Sequence, residues 1–113
     1  MTMYIVKRFN FDSAHHLPGH PTCGEKHGHS FIVEIEISGE IDERGMLIDF
    51  SEVKRHVQPI IDTLDHRDLN TFMEYPTAEN IILFILDRAK KRYPTISRIR
   101  LYETPNNYAE WRE

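Results

Sequence analysis

Residues 29–38 read His-Ser-Phe-Ile-Val-Glu-Ile-Glu-Ile-Ser. In an extended chain, successive side chains point to opposite faces. Phe31, Val33, Ile35 and Ile37 therefore share one face, and Ile32, Glu34, Glu36 and Ser38 share the other. That alternation predicts a strand from His29 to Ser38 with one face buried. His29 has the parity of the apolar set, and so does His27, two residues earlier. Residues 3–15 predict a second strand, in which Ile5, Phe9, Phe11 and His15 share odd parity. Both strands thus aim histidine at the buried side. Paired side by side, they bring His15, His27 and His29 together as a three-nitrogen metal site. Zinc in catalytic sites commonly keeps three protein ligands and an open fourth position. His16, His20, His56 and His66 are not required as ligands, and His20 is a decoy by its place in the loop that follows the first strand.

Residues 16–26 contain Pro18, Gly19, Pro21 and Gly24, which mark a loop between the two strands. The loop carries Cys23, the only cysteine, so no intrachain disulfide can form. Two uses of Cys23 stand open. As a fourth zinc ligand it would close the site and make it structural. As a free thiol beside a cation it would be a base or nucleophile with a lowered pKa. Glu25 reads as a solvated loop carboxylate.

The remaining elements follow from periodicity. A turn region with Gly39 and Gly45 leads to Met46-Leu47-Ile48. A helix starts near Asp49–Ser51, where Asp49 and Glu52 resemble a capping box. Val53, Val57, Ile60, Ile61 and Leu64 form its apolar stripe, and Pro59 is expected to kink or divide it. Thr77 is a good N-cap for a second helix, with Glu79 in its first turn and Ile81, Ile82, Ile85 and Ala89 at helical spacing. Pro94 stops it. Ile96–Glu103 reads as a strand, Asn106-Asn107 as a turn, and Tyr108–Trp111 as a short last strand. Hairpins at both ends around a helical pair predict an α+β fold with the helices on one face of an antiparallel sheet.

The chain has 113 residues, which predicts a single domain over 1–113. A formal net charge of −4 and a pI near 6.0 argue against a non-specific nucleic-acid binder and against binding to a membrane surface. The lone cysteine, the absence of a signal-peptide pattern and the absence of a long apolar run predict a reducing, cytoplasmic setting.

Two further groups carry chemistry. Asp65 and His66 are adjacent, and adjacent side chains on a helix do not face each other. A hydrogen bond between them needs a turn, and would then fix the imidazole tautomer and raise its basicity. Glu103 ends the apolar face of Ile99 and Leu101, where a carboxylate needs a partner such as a guanidine-like ligand edge.

The ordered motifs F-x-x-A-H (Phe11 to His15), C-x-x-x-H-G-H (Cys23 to His29), L-D-H-x-D-L-N (Leu64 to Asn70), P-T-x-E-N (Pro76 to Asn80) and L-x-E-T (Leu101 to Thr104) resemble those of the 6-pyruvoyltetrahydropterin synthase family. The similarity is greatest to its 6-carboxy-5,6,7,8-tetrahydropterin synthase branch in queuosine biosynthesis. The resemblance implies a tunnelling fold: a four-stranded antiparallel sheet with two helices on one face, three subunits closing a barrel, and two trimers forming a homohexamer with sites between subunits. It implies zinc on His15, His27 and His29, proton transfer by Cys23 with Asp65 and His66, and a pterin gripped by Glu103 in a pocket bounded by Thr77 and Glu79. The implied substrate is 7,8-dihydroneopterin triphosphate, which loses triphosphate and acetaldehyde. Other branches of the family lose triphosphate alone, giving 6-pyruvoyltetrahydropterin, or use glutamate in place of the cysteine and release 6-hydroxymethyldihydropterin. A non-catalytic alternative is a zinc-stabilised assembly module with Cys23 in a closed site.

Overall fold

A computed structural model describes the whole chain, Met1–Glu113. Its elements in order are β1 (Met3–His15), β2 (His27–Gly39), α1 (Phe50–Asp62), β3 (Arg67–Asp68), a 3-10 turn (Leu69–Thr71), α2 (Ala78–Ala89), β4 (Ile96–Thr104) and β5 (Asn107–Arg112). The strands form one sheet in the order β3-β1-β2-β4-β5. The four long strands pair antiparallel, as the alternation predicts. The sheet has one more strand than expected. Arg67 and Asp68 return beside the end of β1 and pair parallel with Ser13 and Ala14. Two residues are too short to leave a period-two signal, so nothing in the sequence marks this strand.

The odd-parity face of β1 and β2 is buried as expected. Phe9, Phe11, Phe31, Val33, Ile35 and Ile37 pack into one cluster with Ile99 and Leu101 of β4 and with Val53, Val57, Ile61, Ile81, Ile82 and Ile85 of the helices. Ile96 joins them despite its opposite parity to Ile99, because the register of β2 against β4 shifts between Glu36 and Ile37. An extra residue in one strand turns its following side chains to the other face.

The other face carries an ion-pair ladder instead of helices. Arg98 reaches Glu34, Glu36 and Glu110 at 3.1–3.3 Å, and Arg100 reaches Glu110 at 2.6 Å. Such ladders fix partners across strands more than they add stability.

Two details of α1 differ from the sequence reading. Pro59 lies inside the helix and does not divide it, since the helix continues to Asp62. Proline removes the bond to the carbonyl four residues earlier, and here both Pro59 and Arg55 are exposed, so water can serve that carbonyl. Asp49 caps the helix through the Ser51 N–H at 2.8 Å, but the box is not reciprocal, since Glu52 turns to Arg92 at 3.4 Å. Leu64 lies beyond the helix end and is nonetheless fully buried.

The face assignment predicts that Ile35→Ala, at a fully buried position, lowers unfolding free energy by about 2–5 kcal/mol. Leu83→Ala on the outer side of α2, where the side chain is 52% exposed, should change it by about 0.5 kcal/mol. Urea unfolding of both variants checks the contrast.

Candidate metal centre

Strand pairing does what parity requires. His15 stands directly opposite His27 in the β1–β2 register, and Ser13 opposite His29, so the three histidines occupy neighbouring positions on the core-facing side. Directly opposed residues have their Cβ atoms about 4.5–5.5 Å apart. The ring centroids are mutually 4.6, 5.1 and 4.8 Å apart, in edge-on arrangements. Phe31 forms the floor, its ring 5.7 Å from His15 and 5.5 Å from His29.

The tautomers are set by backbone carbonyls. Nδ1 of His15 donates to the carbonyl of Pro76 at 2.7 Å, and Nδ1 of His27 donates to that of Glu25 at 2.8 Å. Each ring that donates from Nδ1 keeps Nε2 as a bare acceptor when neutral. Nε2 of His15 and Nε2 of His29 are buried and have no hydrogen-bond partner. Buried nitrogens without a partner are costly, and a cation between them would satisfy both. Burial, above all, holds the His29 pKa below its ordinary value; Glu103 opposes this, while His15 and His27 reinforce it. A neutral imidazole is the form a metal needs. The donor set therefore fits a zinc ion, by ligand type and by its unpaired nitrogens.

Glu103 is the fourth group in this cluster. Its Oε1 lies 3.2 Å from Nε2 of His29, although the two are not aligned as a hydrogen bond. One donor atom from each of His15, His27, His29 and Glu103 falls within 4.8 Å of all the others. Parity placed Glu103 at the end of an apolar face; the sequence did not show that this face ends beside His29.

Cys23 is not in that donor cluster. It sits half-buried in the loop, with Thr22 Oγ1 at 3.8 Å from its sulfur. The loop is built around His20. Pro18 and Gly19, with Gly19 at φ +80°, make a tight turn that the His20 N–H closes on the Leu17 carbonyl at 3.0 Å. The ring is thereby returned over the chain, and its Nδ1 accepts the N–H groups of Cys23 at 2.9 Å and Thr22 at 3.2 Å. The Leu17 N–H closes the loop on the Cys23 carbonyl at 2.7 Å. A Cβ on Gly24 would stand 2.7 Å from the His20 carbonyl oxygen, so only glycine fits there. His20 is outside the donor cluster and instead holds the backbone of Cys23. The Pro-Gly pair was a visible sign of the turn, but nothing in the sequence shows which backbone groups the ring meets.

Asp65 and His66 do pair, at 2.9 Å between Oδ2 and Nδ1. The turn this needs is there: His66 has φ +55°, a left-handed conformation uncommon outside glycine. Its N–H donates to the Asp12 carbonyl at 2.6 Å, while the Asp12 N–H donates to Asp65 Oδ1 at 2.9 Å. Asn70, the last residue of the L-D-H-x-D-L-N motif, clamps His16 by accepting its N–H at 2.8 Å and donating to its carbonyl at 2.9 Å. The segment is thus laced to the end of β1. His66 and His29 line one cleft of about 620 Å³ with Asp12, Ser30, Arg67 and Asp68. Glu79 and Glu103 line a separate hollow of about 190 Å³ with Asn107 and Tyr108. Thr77 caps α2 through the Asn80 N–H at 3.1 Å. Within one chain, Cys23 lines neither space.

The model of the family described as 6-pyruvoyl tetrahydropterin synthase matches residues 4–113. The chain belongs to that family. A protein of Archaeoglobus fulgidus provisionally named 6-carboxy-5,6,7,8-tetrahydropterin synthase is 43% identical over 97% of this chain and 96% of its own length. The 6-carboxy-5,6,7,8-tetrahydropterin synthase of Haemophilus influenzae is 36% identical over 96% of this chain and 98% of its own. A dihydroneopterin monophosphate aldolase of Pyrococcus furiosus is 39% identical over 91% of each. Among solved structures, Caenorhabditis elegans 6-pyruvoyl tetrahydropterin synthase superposes with a TM-score of 0.91 at 22% identity, covering 100% of this chain and 96% of that one. The fold is therefore that of this synthase family.

Two outcomes follow from the site. His20→Ala removes the acceptor for two N–H groups, and should change the alkylation rate of Cys23, the only cysteine, several-fold while leaving the far-ultraviolet spectrum unchanged. His20→Asn, which can still accept through its amide oxygen, should restore part of the wild-type rate. For Asp65, the Asp12 N–H is the first cause of a carboxyl pKa below the ordinary value, with His66 adding to it. A lowered folded-state pKa gives stability that is present above the unfolded value near 3.9 and is lost as pH falls through the folded one. Wild type should therefore exceed Asp65→Asn in stability at pH 6, and the gap should close as pH falls below about 4, read by thermal unfolding across that range.

Proposed function

We propose that this protein is a zinc-dependent lyase that converts 7,8-dihydroneopterin triphosphate to 6-carboxy-5,6,7,8-tetrahydropterin, releasing acetaldehyde and triphosphate, in queuosine biosynthesis in the cytoplasm. The observation that carries the reading is the convergence of His15, His27 and His29, with the Nε2 atoms of His15 and His29 buried and unpartnered, in a chain of this family. Two relatives that match along nearly their whole lengths bear the 6-carboxy name, which supports this branch.

In this account His15, His27 and His29 hold a zinc ion, whose contribution is Lewis-acid polarisation of the substrate's side-chain oxygens. The other roles belong to side chains. Asp65 accepts the Nδ1 proton of His66 and orients its ring, leaving Nε2 to carry a proton at the cleft it shares with His29. Cys23, held by its loop, removes or returns a proton at the side-chain carbons. Glu103 accepts two N–H groups from the aminopyrimidine edge of the pterin, with Thr77 and Glu79 bounding the pocket.

Assembly completes the site in this account. Within one chain His66 and Glu103 line separate spaces and Cys23 lines neither, and the long outer edge of β1 is paired only at Ser13 and Ala14. Such an edge can accept a strand from another subunit. Three copies joined edge to edge would close a barrel, and two such rings would give the homohexamer.

A second reading has its own support. The Pyrococcus furiosus relative is named an aldolase, and Glu25 stands two residues from Cys23 as a second acid or base. In that reading the carbon–carbon bond of the side chain breaks without reduction of the ring, and 6-hydroxymethyldihydropterin is released.

Incubation of the zinc-loaded protein with 7,8-dihydroneopterin triphosphate separates the readings. Acetaldehyde with 6-carboxytetrahydropterin is expected. Triphosphate release without acetaldehyde would assign the 6-pyruvoyl activity, and 6-hydroxymethyldihydropterin the aldolase. Cys23→Ala should keep fold and zinc and lose turnover by about 10²–10⁴-fold. A variant that kept its rate would remove Cys23 from the chemistry.

A further inference from the structure

We propose that Glu103 is a fourth donor to the metal ion held by His15, His27 and His29 when no substrate is bound. The proposal rests on the metal-centre reading and adds a ligand to it.

Geometry is the first ground. Zinc bonds to imidazole nitrogen and carboxylate oxygen are about 2.0–2.2 Å long, so atoms at the corners of a tetrahedral site stand roughly 3.3–3.6 Å apart. Glu103 Oε1 is 3.2 Å from His29 Nε2, close to that edge length. The alternative, a direct hydrogen bond between the two, lacks the required alignment, and His29 Nε2 is left buried without a partner. One donor atom from each of the four residues fits within 4.8 Å of the rest.

Chemistry is the second ground. The Glu103 carboxylate is mostly shielded, with 27% of its side chain exposed, and no lysine or arginine lies within ion-pair reach of it. A shielded carboxylate needs a positive partner or a set of donors. A divalent cation among these four donors supplies that charge.

The backbone supports the same placement. The β2–β4 ladder pairs Ile32 with Tyr102, so Glu103 lies just beyond that pair on the face shared by His29 and Phe31. The carboxylate is delivered by a paired strand, as the histidines are, and not by the loop that carries Cys23.

Glu103 would then hold the ion at rest and would have to leave it for a substrate oxygen to be polarised there. Displacement frees Glu103 for the pterin edge, so metal ligation and substrate grip become successive uses of one side chain.

Metal affinity and cobalt spectroscopy test this without turnover. Zinc affinity is measured by competition with a chromophoric chelator in wild type, Glu103→Gln and Glu103→Asp. Changes to groups that merely support a ligand cost about 10- to 100-fold in affinity, so loss of a direct donor should cost at least about tenfold. Glu103→Gln should show that loss, along with an altered visible spectrum of the cobalt-substituted protein. Glu103→Asp, a shorter carboxylate, should fall between Gln and wild type. Wild-type affinity and an unchanged cobalt spectrum in Glu103→Gln would overturn the proposal while leaving the three-histidine site intact. Failure of wild type to bind zinc or cobalt would overturn both.

Discussion

The site depends on the register of one strand pair. β1 and β2 run antiparallel over thirteen residues each, and their last pair sets His15 against His27. A slip of one residue would turn every side chain of one strand to the other face. It would bury Arg8 and Asn10 while exposing Phe9 and Phe11. Core packing therefore holds the register, and the register holds the histidines. The apolar face and the histidine cluster are one stripe of the same sheet, with Phe31 in contact with both.

The groups around that stripe are held by backbone atoms as much as by side chains. His15 leans on the Pro76 carbonyl, just before α2, so the second helix bears on the orientation of a ligand from the first strand. His66 is tied to Asp12, and Asn70 to His16, so the segment after α1 is joined to the same end of β1. Around the Cys23 loop the bonds are local, closing on Leu17 and His20. The histidines thus sit on a rigid frame, while the thiol rides on a self-contained loop beside it.

Much of this was legible in the sequence, because long strands with one buried face write their geometry as parity. Phe31, Val33, Ile35 and Ile37 announced their face, and His27, His29 and His15 inherited it. The cap at Thr77 and the stripe of α2 were equally plain. Features that depend on contacts distant in sequence left no local mark. β3 is two residues long, the clasp of Asn70 on His16 spans 54 positions, and the approach of Glu103 to His29 needs the β2–β4 register. Pro59 does not divide the helix for a related reason: the penalty for proline in a helix depends on whether the orphaned carbonyl can reach water, which a sequence does not state. The hold of His20 on the Cys23 backbone left no mark either, because an exposed loop histidine gives no sign of which backbone groups its ring will meet.

The central claim is that His15, His27 and His29 bind a metal, with Cys23 outside its ligand set. X-ray absorption at the zinc edge of the reconstituted protein tests this most directly. The account predicts one zinc per chain, with imidazole scattering, a first shell of nitrogen and oxygen near 2.0–2.1 Å, and no sulfur. A sulfur shell near 2.3 Å would contradict it, because Cys23 would then be a ligand in a closed, structural site.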